Sequence, residues 1–254
     1  MNFSFGIVTY SGHNNLNKQE QDKRIKKIIQ SIQKNIPENH YEIIVVGDYL
    51  PECIPHNTQI IAFDETQQLG WITRKKNIIT KKARFKNIVY MHDYFVILPG
   101  FYEGWEKFGD DWDVVMNVIM NQDGTRYRDW CTWDDPDFGL PWLQKAPWCG
   151  PCGIYRGGFS HLVPYDYKKT QWMYISGGYW IAKKTFMQKC PLDERWCWGD
   201  GEDTEWSCRM REIAHYRMNT FSAVQLLKYK HYQIPVVDQN TMTNHYITKD
   251  LIKC

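Results

Sequence analysis

Three stretches of the chain place titratable side chains where they could do chemistry. Trp198–Ser207 reads WGDGEDTEWS, with Gly199 and Gly201 making a turn and Glu202, Asp203 and Glu205 following where a helix should begin. Carboxylates in a first helical turn are favoured by the helix dipole. Set beside aromatic rings in a cleft, one such carboxylate is also a natural general base. His92-Asp93 closes an apolar run, Asn87–Met91. A carboxylate there suits a hard divalent cation of the kind that bridges phosphates. Between Gly70 and Phe85 lie Arg74, Lys75, Lys76, Asn77, Lys81, Lys82 and Arg84. Most of these charges are expected on a solvated face, with one or two near a crevice able to neutralise a pyrophosphate.

A fourth stretch, Trp148-Cys149-Gly150-Pro151-Cys152, matches the WCGPC of thioredoxins. A C-x-x-C at a helix N-terminus lowers the first thiol's pKa and makes it a nucleophile. The context differs here, because DFGLPWLQKAP precedes the motif and GIYRGGF follows, which makes a poor first helical turn. The pair is expected in a loop, as a disulfide or half of a metal site.

The elements that must position these groups alternate. Phe3–Tyr10 reads as a strand, and Lys18–Ile36 as a helix with Ile25, Ile28, Ile29, Ile32 and Ile36 on one stripe. Glu42–Val46 is a strand buried on both faces, and Gln59–Phe63 a third strand. A basic helix over Gly70–Phe85 leads to strands at Asn87–Met91 and Asp113–Ile119. Met120–Gln171, rich in Gly, Pro, Asp and Trp, shows neither period and reads as functional loops. Met173–Ala182 reads as one strand with a Gly-Gly break, and a helix runs from near Gly201 to about Arg217. The expected fold is α/β, a mostly parallel Rossmann-like sheet with helices on both faces and a loop-rich second half. Ligands of such sheets sit beyond the carboxyl ends of the strands, where Tyr10, Asp48 and His92-Asp93 fall.

Composition narrows the classes. The chain has 254 residues, with 31 Lys and Arg against 29 Asp and Glu. That near balance disfavours a dedicated nucleic-acid binder. No apolar run approaches a membrane-spanning length, and Met1–Tyr10 reads as a strand rather than a leader. A soluble, cytoplasmic protein is expected. Eight cysteines scattered over this length point to thiols rather than a disulfide framework. Twelve Trp and sixteen Tyr, concentrated between Tyr90 and Trp206, suit either stacking on sugars or bases, or an aromatic core.

Taken in order, FGIVTY, IIVVGD, GWITRKKN, IVYMHDYFVI with PGF, SGGYWIAKK and WGDGED resemble a nucleotide-sugar glycosyltransferase of the GT-A fold. The resemblance is to the family 2 type, with a feature of the β-1,4-galactosyltransferase group, and runs from Phe3 to about His231. It implies one GT-A domain over residues 1–254, with 1–119 as the nucleotide half and 120–254 as the acceptor and catalytic half. Thr9, Tyr10 and Asp48 would hold base and ribose, and Lys76 and Asn77 would lie near the nucleotide and phosphates. His92-Asp93-Tyr94 stands where the family has its DXD motif, which binds Mn²⁺ or Mg²⁺ on the diphosphate. Only one carboxylate remains here, leaving His92 or a distant histidine to make up the loss. His231, 28 residues after Asp203, matches the spacing of a metal-binding histidine in the galactosyltransferase group.

The resemblance further implies Asp203 as the base of an inverting transfer, with Glu202 on the acceptor. Gly177 and Gly178 would let the backbone approach the donor sugar, and Trp180 and Trp198 could stack on sugar rings. The partners implied are a nucleotide sugar and a glycan or glycoprotein acceptor. Two other readings stay open. One is a nucleotide- or glycan-binding module of the same fold without turnover. The other is a thiol-disulfide oxidoreductase acting through Cys149 and Cys152.

Overall fold

The computed structural model describes residues 1–10, 18–49, 51, 54–134, 159–166 and 173–228. Four parallel strands form its first part: β1 (Phe3–Val8), β2 (Tyr41–Gly47), β3 (Thr58–Ala62) and β4 (Asn87–His92), in the order β3-β2-β1-β4. All six residues of β1 are buried. Buried parallel strands need cover on both faces, and the side chains of β1 show it. Phe3 and Phe5 meet Phe101 and Trp105 of α3 (Phe101–Phe108), with ring centroids 5.6 Å apart for Phe3–Trp105 and 6.1 Å for Phe5–Phe101. Gly6, on the opposite face, lies under α2 (Ile72–Lys82), where a Cβ would stand 2.3 Å from Ile79 Cγ2.

α1 (Lys18–Asn35) buries Ile25, Ile28, Ile29 and Ile32 along the stripe read from the sequence. Each fully buried isoleucine contributes about 1.5–3 kcal/mol, so the stripe rather than helix propensity holds α1 in place. The stripe extends one turn further to Gln21, which is also buried.

Beyond β4 the sheet continues through β10 (Tyr179–Lys183), β6 (Val114–Met120), β11 (Tyr216–Leu226) and β5 (Phe95–Ile97). β10 runs antiparallel to β4 and β6, β6 and β11 are parallel, and β5 is antiparallel to β11. The eight-stranded sheet is therefore mostly, but not wholly, parallel. It draws strands from both halves of the chain. A small antiparallel sheet, β8-β7-β9, is made of β7 (Cys131–Asp134), β8 (Phe159–Leu162) and β9 (Met173–Tyr174). Two helices complete the described residues, α4 (Lys184–Lys189) and α5 (Glu202–Ile213). No helix among them is long and apolar enough to cross a membrane.

Two element readings are corrected. Met173–Ala182 is two strands in two sheets, because Gly177-Gly178 turns the chain from one to the other. The helix expected to reach Arg217 stops at Ile213, and Tyr216–Leu226 is a strand. Its register shifts between Asn219 and Ala223, so its buried residues do not alternate and the strand period is masked.

Candidate active site

Thr9, Asp48 and Asp93 each follow a parallel strand of one sheet, β1, β2 and β4, so all three stand at its carboxyl edge. A single side chain of α1 ties them together. Gln21 Nε2 donates to Thr9 Oγ1 at 2.9 Å and to Asp48 Oδ1 at 2.7 Å, and Thr9 Oγ1 donates to Asp93 Oδ2 at 2.8 Å. An amide nitrogen carries two donors, and both are used here. An open cleft lies on this edge, with Thr9, Tyr10, Lys75, Asp93, Tyr94 and Trp198 on its walls.

α2 does not present all its charges to solvent as its composition suggested. Lys75 and Lys76 are each only 1% exposed, whereas Arg74, Lys81 and Lys82 are exposed. Lys75 pairs with Glu65 and donates to the Thr9 carbonyl at 3.1 Å, on the cleft floor. Burial lowers its pKa and raises that of Glu65. Lys76 enters from the same helix but turns elsewhere. Its Nζ donates to the Gly177 carbonyl at 2.6 Å and lies 4.3 Å above the Trp180 ring. Asn77 is spent on Leu192 O at 2.9 Å and Glu194 Oε1 at 3.0 Å, so its amide braces the 192–194 loop.

The Gly177-Gly178 turn joins two groups of expected site residues. Gly178 O accepts the His92 amide at 2.9 Å, at the end of β4. Gly177 N–H donates to Asp203 Oδ2 at 2.9 Å, at the start of α5. Asp203 Oδ1 accepts the Thr204 amide, also at 2.9 Å. A Cβ on Gly177 would meet Asp203 Cβ, Asp203 Oδ2 and Glu202 Oε1, each at 2.9 Å. The glycine is there because the two acids crowd the backbone.

Glu202 is 6% exposed, and burial, reinforced by the Asp203 charge, pushes its carboxyl up to about 8. Burial pushes the Lys76 ammonium down to about 8, against the pull of Glu202 and Asp203. Neither Glu202 nor Asp203 lines the cleft itself; they stand across the Gly177-Gly178 turn from it.

The two tryptophans part company. Trp198 is 56% exposed on the cleft wall, anchored by its amide to Gly70 O at 2.9 Å. Trp180 is fully buried and stacked on Tyr90 with centroids 4.8 Å apart. It is core packing and cannot offer a face to a sugar, which corrects its expected role.

Among the described residues, no three His, Cys, Asp or Glu side chains converge as a metal shell. Asp93 brings one carboxylate, whose oxygens face the Thr9 hydroxyl and, at 3.9 Å, the Arg24 guanidinium. Mn²⁺ and Mg²⁺ want several oxygen ligands, and a cation beside a carboxylate opposes a second one by about 4 kcal/mol per unit charge at 4 Å near a protein surface. The described residues thus do not fit a divalent cation, and no step below runs through one. His231, Cys149 and Cys152 lie outside the described residues, as does most of the expected acceptor loop.

The sequence reading missed Gln21, Arg24, Glu65 and Lys228 and left Lys75 among solvated charges. Gln21 alone left a local signal, a polar residue four positions before Ile25 on an apolar stripe.

The architecture is that of the GT-A fold. It is similar to S. aureus TarS 1-349 in complex with UDP, with a TM-score of 0.55 and 15% identity, covering 99% of this chain and 65% of that one. For TarS 1-349 in complex with UDP-GlcNAc the TM-score is 0.53 at 13% identity, over 91% of this chain and 60% of that one. For GalNAc-T7 with UDP, GalNAc and Mn²⁺ it is 0.59 at 13% identity, over 91% of this chain and 44% of that one. At such identities the likeness is one of fold, and the chain spans less than two thirds of each of these structures. No protein-family model matches the chain, and no curated protein is similar to it.

Proposed function

We propose that this chain is a glycosyltransferase that moves a sugar from a nucleoside-diphosphate sugar to a hydroxyl of a glycan or glycoprotein, with inversion. The observation that carries the reading is the pair of hydrogen bonds through Gly177-Gly178, one to His92 and one to Asp203. They set the strand-end cleft one dipeptide away from two acids. UDP, UDP-GlcNAc, and UDP with GalNAc in the similar structures support the donor class.

In this reading the whole chain acts as one GT-A unit. Thr9, Tyr10 and Asp48 face base and ribose, with Gln21 holding the first and last of these in register. Trp198 covers the nucleotide from the opposite wall. The donor sugar lies against Gly177 and Gly178. Asp203 takes the acceptor hydroxyl's proton as that oxygen attacks the anomeric carbon from the face opposite the diphosphate. The bond from carbon to the diphosphate oxygen breaks through an oxocarbenium-like state, and its electron pair departs on the nucleoside diphosphate. Glu202, kept protonated by burial, orients the acceptor.

The test is Asp203→Asn, assayed with UDP- and GDP-sugars against glycan acceptors. Transfer should fall by about 10²–10⁴-fold, the usual worth of a general base, with UDP or GDP affinity retained. Full transfer by the variant overturns Asp203 as base. Product with the donor's anomeric configuration by NMR overturns inversion. Nucleotide binding without transfer to any acceptor favours a binding module instead.

A further inference from the structure

Two cations converge on the one carboxylate at the end of β4. Arg24, on α1, brings Nη1 to 3.9 Å from Asp93 Oδ1 with its side chain 16% exposed. That nitrogen is buried and has no hydrogen-bond acceptor among the described residues. A buried guanidinium N–H without an acceptor is costly, and its place beside Asp93, which lines the cleft, asks for a ligand that supplies one. Lys228, two residues past β11, lays its ammonium over the Tyr94 ring at 4.4 Å from the centroid. Burial and the neighbouring Arg24 lower the pKa of that ammonium while Asp93 raises it, so the three charges share one neighbourhood. Asp93 and Tyr94, which these cations touch, both line the cleft.

Asp93 is acted on by both cations, and its other oxygen already accepts the Thr9 hydroxyl. Lys75, the cation among the cleft's lining residues, is paired with Glu65. A guanidinium fork and an ammonium that both act on Asp93 match the non-bridging oxygens of a diphosphate.

We propose that Arg24 and Lys228 are the seat of the donor's diphosphate, meeting its charge directly and without a divalent cation. The inference rests on the nucleotide-sugar reading and deepens it. The growing charge of the leaving diphosphate would then be met by fixed donors that need no reorganisation during reaction. The two cations come from distant parts of the chain, α1 and the end of β11, so the seat exists only in the folded molecule.

Isothermal titration calorimetry of the full chain with UDP, GDP and UMP tests it, first in EDTA and then with Mn²⁺. The proteins are wild type, Arg24→Gln, Arg24→Lys and Lys228→Gln, each checked for an unchanged circular dichroism spectrum. UDP or GDP should bind in EDTA, and Mn²⁺ should change that affinity by less than about threefold. Each Gln variant should weaken diphosphate binding by roughly tenfold or more, the scale of a lost charge-assisted contact, with UMP affected less. Arg24→Lys should lose less than Arg24→Gln. Binding that appears only with Mn²⁺, or Gln variants that bind like wild type, overturns the proposal while leaving the donor class standing. No nucleotide binding under either condition overturns the donor class itself.

Discussion

Asp203 Oδ2 accepts the Gly177 amide at 2.9 Å, and that bond couples the first turn of α5 to the passage between the two sheets. The candidate base is therefore held chiefly by two backbone amides, with the Thr204 hydroxyl 3.5 Å from Oδ1, and its aim depends on Gly177 having no Cβ.

Gly177→Ala should lower transfer by roughly 10–100-fold while nucleotide affinity stays within about threefold. The added methyl starts 2.9 Å from atoms of both acids, and misplacement of a reacting group by about 1 Å can cost 10²-fold. Steady-state kinetics alongside nucleotide titration separate the two effects. An equal loss in both would place Gly177 in nucleotide binding instead.

Gln21→Leu should cut the link between the ends of β1 and β2. The apolar stripe of α1 would accept leucine in size, but the Thr9 hydroxyl and the Asp48 carboxylate lose their shared donor. A stability loss of about 1 kcal/mol is expected from the lost hydrogen bonds, with weaker nucleotide binding. Urea melts and calorimetry check it, and a variant as stable and as tight as wild type contradicts it.

The buried acid gives a pH dependence whose sign can be worked out. Glu202 titrates at about 8 in the folded chain against 4.5 when exposed. Between those values the folded state keeps a proton that the unfolded chain has released. The contribution is whole below the lower value and drains away as pH rises toward the upper one. Lys76 runs the other way, at about 8 folded against 10.5 exposed, so its deficit shrinks as pH climbs between those values. Melting temperature should dip near pH 8, and Glu202→Gln should flatten the acid-side limb. Thermal melts of both proteins at about pH 5, 8 and 10 decide it; superimposable profiles would count against the assignment.

Lys76→Met should be among the most destabilising single changes in this region. It removes the donor to Gly177 O and the cation over Trp180, and it takes away the buried positive charge that acts on Asp203. Breaking a buried charge partnership typically costs about 3–5 kcal/mol. Above about pH 8, where Glu202 ionises, pairing the change with Glu202→Gln should recover part of that. A purely additive double-mutant cycle would show that the two do not communicate.

Much of the parallel half was legible because its signals are local. The isoleucines of α1 keep a helical period, and FSFGIV and YEIIVVG are apolar runs of strand length. Short helices such as Phe101–Phe108 escaped because FYEGWEKF carries two turns of pattern at most. Strand Tyr216–Leu226 escaped because its irregular register hides the alternation. At the site, Thr9, Tyr10, Asp93 and Trp198 do reach one cleft, as their places at element ends suggested. The burial of Lys75, Lys76 and Trp180 could not be read, since solvated and buried charges look alike until a helix is docked. Arg24 and Lys228 are brought to the Asp93-Tyr94 corner only by tertiary folding.

Only four residues, Ile175 to Gly178, separate β9 of the small sheet from β10 of the large one. Within that span Ile175 N–H is fastened to Ser207 Oγ of α5 at 2.9 Å, and Gly177 to Asp203. The two sheets therefore share a short, stiff tether with a helix pinned to its middle. A bulky molecule settling on the small sheet would strain a segment bonded both to Asp203 and, through Gly178, to the end of β4.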